Sequence, residues 1–340
     1  MSASVAGRRR QRADQIRRFC TAHGWVEPVG DVTCLAAGEY NESWRVTGSS
    51  SAADVHQLVC RINHGTQLQL DDQAAYEFAV LRAVAPSGVT PIPYLLSADA
   101  PGGEGRGTML MEYLPGQPLD YAVDLEGAAR CLARVHQLPP SADLIDHGDP
   151  LRDVVEEARH LLSARHPHPL PEQGARLTAW LQELAQSAEA SGGADLGSVA
   201  VVNTEVNSHN FLVDGDTVRL VDWEKAVNST HYLDLAHFLA PTTTLWIRGY
   251  RLSAMERERF FVAYAAASGG SVDAEQAAAG TAVVERFVLL RALCWCYMAF
   301  ADYAASANAA GREGSSRPRH DATFARITEY LESLDDLIPA

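Results

Sequence analysis

The run VVNTEVNSHNFLVDGDTVRLVDWEK, residues 201–225, constrains the chain more than any other stretch. Two apolar runs, NFLV and TVRLV, flank Asp214-Gly215-Asp216. That is a strong hairpin signal, because the turn needs a residue tolerant of positive φ. A hairpin brings its two ends together. Asn210 precedes the first strand and Asp222 ends the second, so they are expected one strand spacing apart, about 5 Å. An amide oxygen and a carboxylate at that separation suit Mg²⁺, which takes oxygen ligands and completes its shell with water and phosphate. Glu205 lies five residues before Asn210, on the loop entering the hairpin. There it can orient an attacking hydroxyl or accept its proton. The same pattern also describes an ordinary surface hairpin with polar ends, so the rest of the chain decides.

Upstream the patterning is that of strands. Val32–Leu35 and Ser43–Val46 flank the turn-like AAGEYNE. VHQLVCRI alternates, with Leu58, Cys60 and Ile62 on one face and Val59 and Arg61 on the other. Asp71 and Asp72 can cap a helix that runs to about Ala85 and stops before Pro86. IPYLLSA and GTMLMEYL are further strands, separated by the glycine-rich APGGEGRG. After LPGQPLD the character changes. Alanine- and leucine-rich helical segments are expected at 124–137, 151–164, 173–190, 231–240, 254–268, 273–304 and 319–336. The expected class is α+β, with an antiparallel-sheet N-terminal lobe, 1–112, and a mainly helical C-terminal lobe, 113–340.

Composition narrows the partners. The 340 residues are 47% apolar and carry a net charge of −15, which argues against nucleic acid as a ligand, since that needs a basic face. An acidic surface would attract a cationic substrate, although it also keeps a protein in solution. No apolar run approaches the roughly 18 residues of a membrane span. Arg8, Arg9, Arg10 and Arg12 are followed by no apolar h-region, so the N-terminus reads as a helix running through Ile16 and Phe19, not as a secretory signal. A cytoplasmic location is expected. The six cysteines lie mostly inside apolar patterns and form no CxxC pair, so buried reduced thiols are expected. His166 and His168 form an HxH between prolines, a weak metal signal.

The ordered set of motifs resembles the aminoglycoside phosphotransferase/choline kinase family, over nearly the whole chain. That family's loop reads H-G-D-x-x-x-x-N, then a hairpin, then [IV]-D-[WF]-E. Here the matching positions are Asn203-Thr204-Glu205 and Asn210, then Val221-Asp222-Trp223-Glu224. EYLPGQPL resembles the family's hinge, LARVHQLP its helix ending in L-H, and YLDLAHFL its D-L-A segment, with Asp234 at the aspartate. The resemblance implies a protein-kinase-like fold and a small-molecule phosphotransferase using ATP or GTP with Mg²⁺. Asn210 and Asp222 would hold the metal, and Glu205 would stand at the catalytic base beside Asn203. Arg61 would contact nucleotide phosphates, paired with Glu77. Val59 would line the base pocket, and the backbone of Met111, Glu112, Tyr113 and Leu114 would meet the purine edge. The nucleotide loop has one glycine, Gly38, and no Walker A motif, which leaves Asn41 and Ser43 for phosphate contacts. Glu224, Asp234, Trp246, Trp295, Tyr297 and Asp302 are the candidates for acceptor contacts, with core packing the competing role for the tryptophans.

Three positions depart from the family pattern. Arginine for lysine at Arg61 keeps the charge and adds a planar fork that fits phosphate. Asn203 replaces an imidazole with an amide that can still bond nearby backbone. Glu205 carries its carboxylate about 1.5 Å further out than aspartate would, a displacement worth about 10²-fold in rate unless the site is built around it. The acceptor expected first is an antibiotic, aminoglycoside-type or another hydroxylated natural product. A metabolite of choline, sugar or homoserine type is second, and a non-catalytic nucleotide-binding regulator is the rival of another class.

Overall fold

The computed structural model describes residues 2–38, 40–163, 168–191, 196–310 and 318–338. Helix α1, Ser2–Ala22, is followed by β1, Val29–Ala37, β2, Asn41–Gly48, and β3, Gln57–Asn63. Then come α2, Gln73–Val84, β4, Pro93–Ser97, and β5, Thr108–Glu112. The five strands form one antiparallel sheet in the order β1-β2-β3-β5-β4. The alternation in β3 divides its side chains as expected, and both faces are covered. Leu58, Cys60 and Ile62 pack under Ile16, Phe19 and Cys20 of α1. Val59 joins the core with Val80, Leu81 and Val84 of α2. Arg61 shares the α2 face, opposite Ser43 on β2 and Met109 on β5. Asp72 caps α2 by accepting a 2.9 Å bond from the Ala75 N–H.

The remaining chain is largely helical. Strand β6, Gln117–Pro118, leads into α3, Leu125–His136, α4, Pro150–Ser163, and α5, Pro171–Ser191. Short strands β7, Val199–Val202, β8, Phe211–Asp214, β9, Thr217–Leu220, and β10, Val227–Thr230, carry the motif-rich run. Helices α6, Tyr232–Leu239, α7, Pro241–Arg248, α8, Ala254–Ala267, α9, Ala274–Ala310, α10, Pro318–Glu332, and α11, Leu334–Leu337, complete the fold. Helix α7 is not expected from the sequence. Its threonine-rich PTTTLWIR is a poor helix former, but proline fits the first helical position and Thr242, Thr243 and Thr244 are buried. The segment expected at 319–336 is broken at Ser333. Strands β7 and β10 are likewise additions to the expected elements. They pair antiparallel, Val202 opposite Val227, and bracket the loop and hairpin of residues 203–226 on both sides.

The hairpin forms as expected, with Asp214 opposite Thr217, Phe211 opposite Leu220 and Gly215 at φ +58°. Val221 N–H donates to Asn210 O at 2.8 Å, which joins the two ends. Leu220 N–H donates to Val89 O, in the loop after α2, and so ties the hairpin to the sheet-bearing part.

The loop before the hairpin hangs on Asp234, a fully buried residue of α6. Its carboxylate accepts from the Asn203 and Thr204 N–H groups, both at 2.8 Å, and lies 3.3 Å from His136 Nε2. Asp234, expected among the acceptor contacts, is therefore buried and committed to supporting this loop. His136, also bonded to Tyr264 Oη at 2.9 Å, is satisfied within the core. Asp234→Ala strands one buried and one half-buried N–H donor and should cost about 2–5 kcal/mol in urea unfolding. A loss below about 1 kcal/mol would show that the loop does not depend on it.

Candidate active site

Arg61 is the centre of the site's electrostatics. It is buried, yet three acids converge on it. Nε donates to Glu77 Oε2 at 2.9 Å, Nη2 to Asp222 Oδ1 at 2.6 Å, and Glu224 Oε2 stands 3.6 Å away. Nη1 donates to Ser43 Oγ at 3.3 Å. Burial alone would loosen its proton, but Glu77, Asp222 and Glu224 more than offset this and raise its pKa. The expected Arg61–Glu77 pair is thus formed.

Asp222 reaches this cluster from a left-handed backbone, φ +64°, a conformation that side-chain-bearing residues adopt seldom and at a cost. Asn203 holds it there. The Asn203 amide donates from Nδ2 to Asp222 O at 2.7 Å and accepts at Oδ1 from Glu205 N–H at 3.0 Å. One fully buried side chain therefore fixes the two segments that carry the candidate metal ligand and the candidate base. It touches no cleft and acts by positioning. Thr204 is left-handed too, φ +67°, and is pinned by Asp234 and by its Oγ1 donating to Lys225 O at 3.1 Å.

Glu205, Asp222 and Glu224 each present a carboxylate oxygen within 4.8 Å of the others. Asn210 completes the group. Its Nδ2 donates to Glu205 O at 2.8 Å, which leaves Oδ1 as the ligand atom of that amide. This all-oxygen set fits a hard divalent cation. Glu224, expected at the acceptor, belongs instead to the same cleft as Arg61. It accepts from Gln67 Nε2 at 3.1 Å and from Asn41 Nδ2. Asn63 Nδ2 in turn donates to Asn41 Oδ1 at 3.1 Å.

Two cavities meet here. A cleft of 670 Å³ is lined by the β1–β2 loop, Asn41, Ser43, Arg61, Asn210, Asp222 and Glu224. A second cavity of 730 Å³ lies among β10, α4, α6 and α9. Gln67, Glu205 and Trp295 line both. Sequence reasoning missed Lys225, whose Nζ donates to Glu205 Oε1 at 2.7 Å. The residue directly follows Asp-Trp-Glu, but nothing in its spacing announces a partner twenty positions upstream.

Other expected residues fall elsewhere. Val59 is core, and Met111 stands opposite it in β5. Glu112 N–H is committed to Ile92 O at 2.8 Å, so it is not the donor for a purine edge. Tyr113 lies under Arg45 at 5.6 Å, and Leu114 is buried. None of Val59 or 111–114 lines the 670 Å³ cleft. Trp246 packs edge-on against Trp295 at 5.8 Å, behind the second cavity. Tyr297 is buried and stacked on His168 at 3.5 Å, and neither Tyr297 nor Asp302 lines either cavity. His168 donates from Nε2 to Tyr297 O and accepts at Nδ1 from Leu170 N–H, so both nitrogens are used and it does not serve a metal. His166 and Glu39 lie outside the described residues. The six cysteines are free thiols, all buried except the half-buried Cys34.

The model of the phosphotransferase enzyme family matches residues 31–279. The chain belongs to that family. As a member of it, the chain is a kinase-type phosphotransferase of small molecules, with a nucleotide as phosphoryl donor. No curated protein matches the sequence. Among solved structures, a choline kinase from Cryptosporidium parvum Iowa II is 16% identical, with a TM-score of 0.56 over 96% of each chain. A spectinomycin phosphotransferase solved with ADP and spectinomycin is 12% identical, with a TM-score of 0.60 over 96% of this chain and 99% of that one. The choline kinase LicA from Streptococcus pneumoniae is 16% identical, with a TM-score of 0.55 over 94% and 98%. These likenesses establish the fold, which is kinase-like, with a sheet-bearing N-terminal part and a helical C-terminal part. Among the described residues no helix is long and apolar enough to cross a membrane.

The phosphotransferase's cleft has a pH signature. Burial, and then the charge of Asp222, push the Glu224 carboxyl up to about 7 against the pull of Arg61. A folded pKa above the unfolded value means that the native state holds the proton more tightly. The stability this contributes is complete below the ordinary carboxylate pKa of about 4.5 and is lost as pH rises through about 7. Glu224→Gln removes the titration. Melting of both proteins, without metal or nucleotide, should show the variant gaining on wild type between about pH 5 and pH 8. A constant difference across that range would contradict the assignment.

Proposed function

We propose that this protein transfers the γ-phosphoryl group of ATP or GTP to a hydroxyl of a drug-sized natural product, the class that includes antibiotics. The observation that carries this reading is the position of Glu205 at the seam of the two cavities, with Asp222, Glu224 and Arg61 on one side and the 730 Å³ chamber on the other. Asn210 and Asp222 would hold Mg²⁺, with Glu224 beside them, and the ion would neutralise phosphate charge. Arg61, Asn41 and Ser43 would bind and orient the phosphates. Glu205 takes the proton from the acceptor hydroxyl as the acceptor oxygen bonds to phosphorus. The bond between phosphorus and the nucleoside diphosphate oxygen breaks, and the diphosphate leaves. Positioning and charge stabilisation carry most of such a reaction.

The size of the second cavity supports a drug-sized acceptor over choline or homoserine, since chambers of about 300–1,000 Å³ enclose ligands of that size. A carboxylate, two candidate metal ligands and an arginine suited to phosphate, all lining one cleft, speak against a regulator without activity. We take the lobe boundary at residues 112–113 and the cytoplasm, with its nucleotide pool, as the place of action.

The test is nucleotide turnover across a panel of hydroxylated antibiotics and metabolites, followed by variants on the acceptor found. Glu205→Gln should lower kcat by at least about 10²-fold with nucleotide binding preserved, because the amide keeps the shape but takes no proton. Glu205→Asp should also be slower, because the carboxylate retreats from Lys225 and from the seam. Wild-type turnover by Glu205→Gln would remove Glu205 from the base role. Bound nucleotide with no acceptor phosphorylated would favour the regulator.

A further inference from the structure

The second cavity contains more information than its size, and any conclusion about its ligand rests on the phosphotransferase reading of the neighbouring cleft. Three carboxylates line it among the described residues: Asp153, Glu157 and Glu205. Two of them have a cationic partner in the same wall. Glu205 accepts from Lys225 Nζ at 2.7 Å, and Glu157 from Arg291 Nε at 2.6 Å. Asp153 stands 4.0 Å from His147 Nδ1. Among the other titratable groups of the wall, His237 is half-buried, and burial, with Arg291 next, pushes it down to about 4, so it is neutral at pH 7, while burial pushes Cys296 and Tyr330 up. Much of the remaining wall is apolar: Leu68, Val154, Val227, Leu233 and Val288, with Trp295 across from them. Trp295 is 40% exposed, although the same helix buries Phe287, Leu290 and Leu293 in the core. Its open face forms part of both cavities.

A net charge of −15 would suggest a cation-seeking site. The cavity shares little of that charge, since Lys225 and Arg291 offset two of its three carboxylates. A polycationic ligand loses its hydration on entering a chamber and needs unpaired carboxylates to replace it. Here two of the three are already engaged, and a polycation would have to break those ion pairs, including the one that holds Glu205. An uncharged ligand breaks none and gains by covering the apolar wall and the Trp295 face.

We infer that the acceptor is an uncharged, largely apolar alcohol, and not a polyamine such as an aminoglycoside. Its ring or chain skeleton lies along α9 and α4 with Trp295 against it, and its reacting hydroxyl reaches Glu205. The Glu205–Lys225 pair closes the polar end of the chamber.

The experiment uses the full chain with Mg²⁺–ATP and two probes of similar size: kanamycin, and an uncharged macrocyclic polyol lactone. Binding is read by quenching of tryptophan fluorescence, with Trp295→Phe as the control for the source of the signal. Turnover is read by ADP release in the presence of each probe. Mg²⁺–ATP binding is measured separately by calorimetry. The expected result is binding of the uncharged probe, with a quench lost in Trp295→Phe. Its kcat/KM should exceed that of kanamycin by at least about 100-fold, with a KM indifferent to salt. Ala292→Asp, at a half-buried cavity position of α9, adds an unmatched carboxylate. It should weaken the uncharged probe and strengthen kanamycin by about tenfold each. Preference for kanamycin in the wild type, or a KM rising steeply with salt, overturns the inference. So does failure of the uncharged probe to bind when Mg²⁺–ATP binds normally, and in that case the nucleotide cleft stands. Absence of Mg²⁺–ATP binding overturns the underlying reading, and the inference with it.

Discussion

A buried guanidinium is expensive unless its N–H groups and its charge are matched, and an unmatched one costs several kcal/mol. Arg61 is matched from three directions. Glu77 comes from α2, Ser43 from the next strand, and Asp222 from the hairpin of the helical part. These partners cannot be met by a point charge on a flexible stem, whereas a planar fork meets them at fixed angles. The replacement of lysine by arginine is therefore built into this site. It also makes the sheet, the helix beside it and the hairpin interdependent, because moving any of them unpairs a buried charge.

The other two departures from the family pattern have similar compensation. Asn203 is fully buried and uses both ends of its amide, one for the backbone at Asp222 and one for the backbone at Glu205. Glu205 is a methylene longer than aspartate, and Lys225 meets it at the distance of a charged hydrogen bond. Asp234 then fixes the loop between them by taking two N–H groups. Left-handed Thr204 and Asp222 are tolerated because each is bonded on more than one side. Strain of this kind persists where the surroundings over-determine it.

Much of this was legible in the sequence because it is local. A turn dipeptide, two short apolar runs and the residues at their ends predict a hairpin and the meeting of Asn210 with Asp222. The alternation of β3 predicts that Arg61 faces α2. What the sequence hid was long-range or contrary to local preference. Glu224 joins the Arg61 cluster through Asn41 and Gln67, more than 150 residues away. Asp234 looked like a polar residue free to bind a ligand, but it is consumed by the loop beside it. Tyr297 follows Trp295 by two positions, which on a helix turns it to another face, and it stacks on His168 instead. Helix α7 forms from residues with low helix propensity because packing outweighs it. The N-terminal helix through Ile16 and Phe19 was legible, but not that these residues, with Cys20, cover the sheet.

If hairpin ends and catalytic loop form one phosphoryl-transfer centre at the seam of two cavities, metal and phosphate must meet there. The most direct measurement is a crystal structure with Mn²⁺ and a non-hydrolysable ATP analogue, with the metal located by anomalous scattering. The predicted result is an anomalous peak bonded to the Asp222 carboxylate and to Asn210 Oδ1, with the terminal phosphate against Arg61 and turned toward Glu205. A metal bound away from Asp222 and Asn210, or a terminal phosphate facing away from Glu205, would contradict it.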